Sequence, residues 1–162
     1  MKKSILKTVS VFLVLLFALS IFAACEKKET DDRFAIKADG VTVILGAEAD
    51  SAIEALGTPQ DTQYNGNCGG RGENISYEYS TFVMDVVDYE DGDRIIDNIE
   101  LKNDGAETAR GITIGSSEAD VRAKYGEPDK IENSALYYET EDKKLQIEIT
   151  DGAVSSIVLK CK

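Results

Sequence analysis

The stretch Val43-Ile44-Leu45-Gly46-Ala47-Glu48-Ala49-Asp50, running on to Leu56-Gly57-Thr58-Pro59-Gln60-Asp61, returns 69 residues later. Its second form is Ile112-Thr113-Ile114-Gly115-Ser116-Ser117-Glu118-Ala119, running on to Tyr125-Gly126-Glu127-Pro128-Asp129-Lys130. Gly46, Gly57 and Pro59 fall on Gly115, Gly126 and Pro128. Each part has a mechanism. An apolar strand end meets a glycine, and the small or hydroxyl residues after it cap a short helix, Ser117 and Asp120 forming a capping-box variant. Ala52 with Leu56, and Val121 with Tyr125, stack one turn apart on the face to be buried. The second glycine takes the left-handed position after the helix, and the proline two residues on stops it continuing.

The downstream sequence matches as well. Residues 75–79, 82–89 and 94–101 read as three strands, with the acidic turn Glu90-Asp91-Gly92-Asp93 between the last two. Residues 135–139, 144–150 and 154–160 repeat the pattern, with Asp151-Gly152 as the turn, and Ile96 to Lys102 parallels Val154 to Lys160. Two blocks of similarity in the same order predict a tandem duplication. The expected fold class is α+β: two tandem helix-plus-antiparallel-meander repeats forming one sheet with helices on one face. Asn103-Asp104-Gly105-Ala106 is the junction, and the insertion at residues 65–72 is too glycine-rich for helix or strand.

Around this body the composition narrows the choices. The 162 residues hold 18 Lys+Arg against 30 Asp+Glu, a net charge of −12, and no histidine. Nucleic-acid binding needs clustered cations and is excluded. Without imidazole there is no Ser-His or Cys-His pair and no His-ligated zinc. Lys2, Lys3 and Lys7 precede an apolar run at residues 9–19 and the small residues Ala23-Ala24-Cys25, the layout of a secretory signal. Ile21-Phe22-Ala23-Ala24-Cys25 resembles a bacterial lipobox, with Phe22 where leucine is usual; an uncleaved anchor, or cleavage near Ser20, are the alternatives. The expected organisation is a lipoprotein signal peptide (1–24), a tether (25–33), unit 1 (34–103) and unit 2 (104–162). Cys25 would then anchor an extracytoplasmic body to the membrane. Losing three lysines takes that body from −12 to −15, so acyl chains rather than headgroup attraction must hold it there.

Cys68 and Cys161 remain. In an oxidising compartment they can pair, for about 4 to 5 kcal/mol of loop-closure entropy. Two unpaired thiols, or a redox thiol that no histidine activates, are the other readings. In unit 1 Phe82, Met84 and Val86 share one strand face, while Val83, Val87 and Tyr89 share the other, with Tyr77 and Tyr79 nearby. Either the second face packs on the insertion or the neighbouring unit, or it is a partner-binding patch that Tyr137 and Tyr138 extend. Asp88, Glu90, Asp91 and Asp93 do not make an EF-hand loop, because Val87 and Tyr89 occupy ligand positions. No catalytic, cofactor or metal residues are assigned: Ser4-Ile5-Leu6-Lys7 lies in the signal, and the glycine cluster follows no strand-to-helix pattern.

The tandem G-(x)n-L/Y-G-x-P units, each followed by a hairpin-rich half, resemble the β-lactamase inhibitor protein-like fold. A single-copy relative of that fold is the small lipoprotein of the β-barrel assembly machinery, and the resemblance spans roughly residues 34–162. Members present an open sheet face or its loops to another protein, so the resemblance implies binding of an envelope or secreted protein rather than catalysis. Inhibition or regulation of an envelope hydrolase, and an envelope scaffold, are the roles it suggests; a carboxylate-dependent hydrolase is the competing class. Cells fed an alkyne fatty acid should label the wild-type chain and leave Cys25→Ser unlabelled, read by in-gel fluorescence; equal labelling of both would remove Cys25 as the anchor.

Overall fold

The computed structural model describes residues 31–67 and 72–162. The expected signal peptide, Cys25, the start of the expected tether and Cys68 therefore lie outside the described residues. Among those described, no helix is long and apolar enough to cross a membrane.

A single 3₁₀ turn at Asp32–Phe34 leads into a hairpin of β1 (Ala35–Ala38) and β2 (Val41–Ile44). Its two-residue turn, Asp39-Gly40, has φ of 51° and 79°, the positive values that match hairpin twist. Helix α1 (Asp50–Leu56) is followed by β3 (Asp61–Asn67), β4 (Glu73–Glu78), β5 (Phe82–Asp88) and β6 (Arg94–Leu101). After the short β7 (Glu107–Thr108), α2 (Glu118–Tyr125) precedes β8 (Lys130–Glu132), β9 (Ala135–Glu139), β10 (Lys143–Thr150) and β11 (Ala153–Cys161).

The strands form two sheets rather than the one expected. A small sheet runs β2-β1-β7, and an eight-stranded antiparallel sheet runs β3-β4-β5-β6-β11-β10-β9-β8. Each half of the large sheet has four strands, where three were expected, because β3 and β8 add an outer strand to each end. The glycine-rich segment was expected to exclude a strand, yet β3 runs on to Asn67. Its pairing with β4 is interrupted between Tyr64 and Asn67, where Gly66 has φ +69°, so a bulge absorbs the glycine.

The core follows from register. Tyr77, Met84, Ile99, Leu159, Leu145 and Tyr138 face one another from strand to strand across the sheet, and all six are buried. Both helices cover this face: Ala52 of α1 belongs to the same buried cluster, and Tyr125 of α2 meets Tyr138 with ring centroids 5.1 Å apart. Phe34, Ile36 and Val43 bring the small sheet onto it.

The local signals for the helices largely stand. Ser117 accepts the Asp120 amide at 3.1 Å and donates its hydroxyl to the Asp120 carboxylate at 2.6 Å, while α1 has no side-chain cap. Gly57 and Gly126 end the helices at φ 75° and 80° but with ψ of −157° and −160°, a region open essentially to glycine alone rather than the left-handed helical one.

The segment ahead of each helix bonds to the first residues of the last strand in its half. Gly46 donates to the Ile96 carbonyl, Ile96 to Ala47 and Ala49 to Arg94, at 2.8, 3.0 and 2.7 Å. In the other half Gly115 donates to Val154, Val154 to Ser116 and Glu118 to Gly152, at 2.8, 2.8 and 3.1 Å. A register shift follows in both, leaving Asp97 unpaired opposite β5 and Ser155 unpaired opposite β10. The halves meet where Asn98, Ile99 and Glu100 of β6 pair with Lys160, Leu159 and Val158 of β11. Truncating either central side chain, Ile99→Ala or Leu159→Ala, should cost about 2 to 5 kcal/mol in denaturant melts and keep a single transition for both halves. Two separated transitions would show that the halves fold independently.

Candidate protein interface

The large sheet's other face carries the polar members of each alternating strand. One row across it reads Glu78, Val83, Glu100, Val158, Gln146, Tyr137, Lys130, and the next Ser76, Asp85, Asn98, Lys160, Lys144, Glu139. These side chains are half-buried or exposed, so this face is not packed under a second layer of described residues. Asp85 holds the middle of the second row, accepting from the Ser76 hydroxyl and, at 3.1 Å, from Asn98 Nδ2; Asn65 Nδ2 donates to Ser76 Oγ at 3.3 Å. The bonds tie β3 to β6 through side chains as well as backbone.

The expected patch is divided by this geometry. Tyr77 and Tyr79 are 8% and 6% exposed and point into the core, a correction to their reading as partner-binding residues. The register that sets Tyr77 against Met84 puts it on the covered face, and Tyr79 stacks on Phe82 at 4.9 Å. The Tyr77 hydroxyl accepts from Arg94, whose guanidinium also binds Asp50 and lies 3.7 Å from Asp88. Arg94 thereby clamps the start of α1 to β4 and β5, a role that no spacing signals.

Val83, Val87 and Tyr137 do lie on the outer face. Val87 sits between Asn74 and Ile95 and is 7% exposed, and Tyr89, just past the end of β5, is half-buried. Tyr137 is in the other half, with the ammonium groups of Lys130 and Lys144 each 5.7 Å from its ring centroid. Four strand spacings, about 19 Å, separate β5 from β9, so Val83 and Tyr137 stand apart in a polar field, and the burial of Val87 corrects its reading as a partner-binding residue. Tyr138 is in the core. The expected Cys68–Cys161 bridge involves Cys68, which lies outside the described residues. Asn67, its neighbour in sequence, is on β3, with β4, β5 and β6 between it and the strand of Cys161. Cys161 Sγ lies 3.8 Å from the Ile96 carbonyl.

A groove of about 260 Å³ between α1 and β2 is lined by Val41, Ile44, Ala47, Ala52, Ala55 and Ile96, with Glu48 as its one carboxylate. Among the described residues no three acids or cysteines are placed to hold a metal ion. Burial pushes the phenols of Tyr79 and Tyr138 up, and that of Tyr125 to about 12, so these three carry no charge near neutrality. Sequence reasoning also missed Tyr64 and Ile131, the large apolar side chains left most exposed, at 74% and 58%. Both sit on the outermost strands, which no hydrophobic period announced.

No family model matches the chain, and no curated protein does. One solved structure is similar: the crystal structure of a DUF4309 family protein, YjgB, from Bacillus subtilis subsp. subtilis str. 168, at 15% identity and TM-score 0.40, covering 72% of this chain and 79% of that one.

The buried Tyr125 phenol ties stability to alkaline pH. Its proton is held more tightly folded than unfolded, so its contribution is complete below about pH 10 and is lost as pH climbs to about 12. Stability measured by urea should fall by about 2 to 3 kcal/mol over that window, and Tyr125→Phe should flatten the fall.

Proposed function

We propose that this protein is a lipid-anchored, extracytoplasmic recognition protein without catalytic activity, built from two copies of one helix-plus-meander module. The recognised partner is an envelope or secreted protein, met on the uncovered face of the eight-stranded sheet. That face carries the reading: one side of the sheet is buried under helices and the small sheet, while the other displays Val83, Val158 and Tyr137 among charged and amide groups. Such a mixture of isolated apolar anchors and hydrogen-bonding side chains is what separable protein contacts use.

The duplication is supported by the paired hydrogen bonds ahead of α1 and α2 and by the matching unpaired residues Asp97 and Ser155. It is supported too by the junction. Glu100 and Val158 hold the same place in the aligned segments and pair with each other, as equivalent residues do across a two-fold contact. Kinship with the β-lactamase inhibitor-like fold is part of the same reading, and inhibition or regulation of an envelope hydrolase is the role it favours. A carboxylate-dependent hydrolase is disfavoured by the lone carboxylate of the groove.

The test is affinity capture from envelope extracts with the wild-type chain and with a Val83→Lys/Tyr137→Ala variant, both checked for folding by circular dichroism. The wild type should enrich a partner that the folded variant recovers at least about tenfold less well, since anchors at the centre of a contact dominate its affinity. Equal recovery by both would remove the outer face as the binding surface.

A further inference from the structure

The two ends of the large sheet are not alike. β8 has three residues, and Lys130 bonds Glu132 at 2.5 Å across its length, so the strand is short and charged in the way that discourages added pairing. β3 has seven residues, Asp-Thr-Gln-Tyr-Asn-Gly-Asn, with no lysine and no proline. It pairs with β4 on one side, and no described strand pairs with the other. At its middle Tyr64 is 74% exposed on the side of the sheet that carries Ile75, where the helices' cover has run out.

Charge says what would fit there. β3, β4 and β5 carry Asp61, Glu73, Glu78, Asp85 and Asp88 and no lysine or arginine, whereas β8 to β11 carry Lys130, Lys143, Lys144 and Lys160. Asp61 lies on the outer face at the edge that no described strand covers, its register partner Glu78 being held by Lys102 at 2.6 Å, while Tyr64 lies on the opposite face. A strand added beside β3 alternates its side chains in the same way.

From this edge we infer a second binding surface: β3 accepts an extended, basic peptide segment as a ninth strand, with Lys or Arg facing Asp61 and the neighbouring carboxylates, and apolar residues against Tyr64. The backbone supplies the pairing, and the alternation supplies the choice of sequence. The surface goes beyond the outer-face reading, uses different residues and stands if that reading fails.

The probe is a fluorescein-labelled peptide of alternating Lys and Val, titrated by polarisation against the full chain in detergent. A Glu-Val peptide and an N-methylated Lys-Val peptide serve as controls. The Lys-Val peptide should bind, the Glu-Val peptide about tenfold or more weakly, and the N-methylated one not detectably, with affinity falling as salt rises. Gln63→Lys/Tyr64→Lys, both exposed positions, should lower affinity about tenfold or more, while Tyr137→Ala, on the far half of the sheet, leaves it unchanged. Hydrogen exchange should slow in β3 on binding. Absence of Lys-Val binding, or binding that survives N-methylation or the β3 lysines, overturns the inference. So does concentration-dependent sedimentation of the chain that Tyr64→Lys abolishes, which would make a second copy the occupant.

Discussion

Six side chains, Tyr77, Met84, Ile99, Leu159, Leu145 and Tyr138, lie in one line across six strands, and the arrangement of everything else answers to keeping that line buried. A slip of one residue between β6 and β11 would turn half of it to water. The central pair is the sensitive one, since β6 and β11 share only three paired positions, with Ile99 and Leu159 in the middle. Burying a side chain of this size is worth about 1.5 to 3 kcal/mol, so the junction draws on packing more than on its few backbone bonds.

The bulges belong to the same constraint. In β6 the extra residue, Asp97, lets Ile96 and Ile99 both face the core although three positions separate them; in β11, Ser155 does this for Val154 and Ile157. Without them the start of each strand would present the wrong side to the loop ahead of the helix. With them, Gly46 and Gly115 meet the Ile96 and Val154 carbonyls, and each helix is set down over the sheet.

Much of this architecture is legible in the residues. β6 and β9 fall where alternation and turn chemistry put them, and the capping by Ser117 and the helix-ending glycines were marked by residue type. What was not legible has physical reasons. β3 and β8 lie at the sheet ends, where one side or both are wet, so neither shows an apolar period. β1 and β7 pair across about seventy residues, beyond the reach of any local signal. Tyr77 and Tyr79 look like surface aromatics until the register with β5 assigns them a side. The candidate interface was therefore only partly foreseen: Val83 and Tyr137 have the outward orientation expected but stand four strand spacings apart, and Val87, on the same face, is buried.

The first described residues are fastened to the second half of the chain. Arg110 bonds Asp32 at 2.6 and 2.9 Å, reaches the Lys124 carbonyl at 3.3 Å and lies over the Tyr125 ring, and β1 pairs with β7 beside it. Tension applied to the polypeptide ahead of Asp31 thus enters through a guanidinium latch held against α2 and a strand gripped on both sides, so it reaches β7 and α2 as directly as β2 and α1.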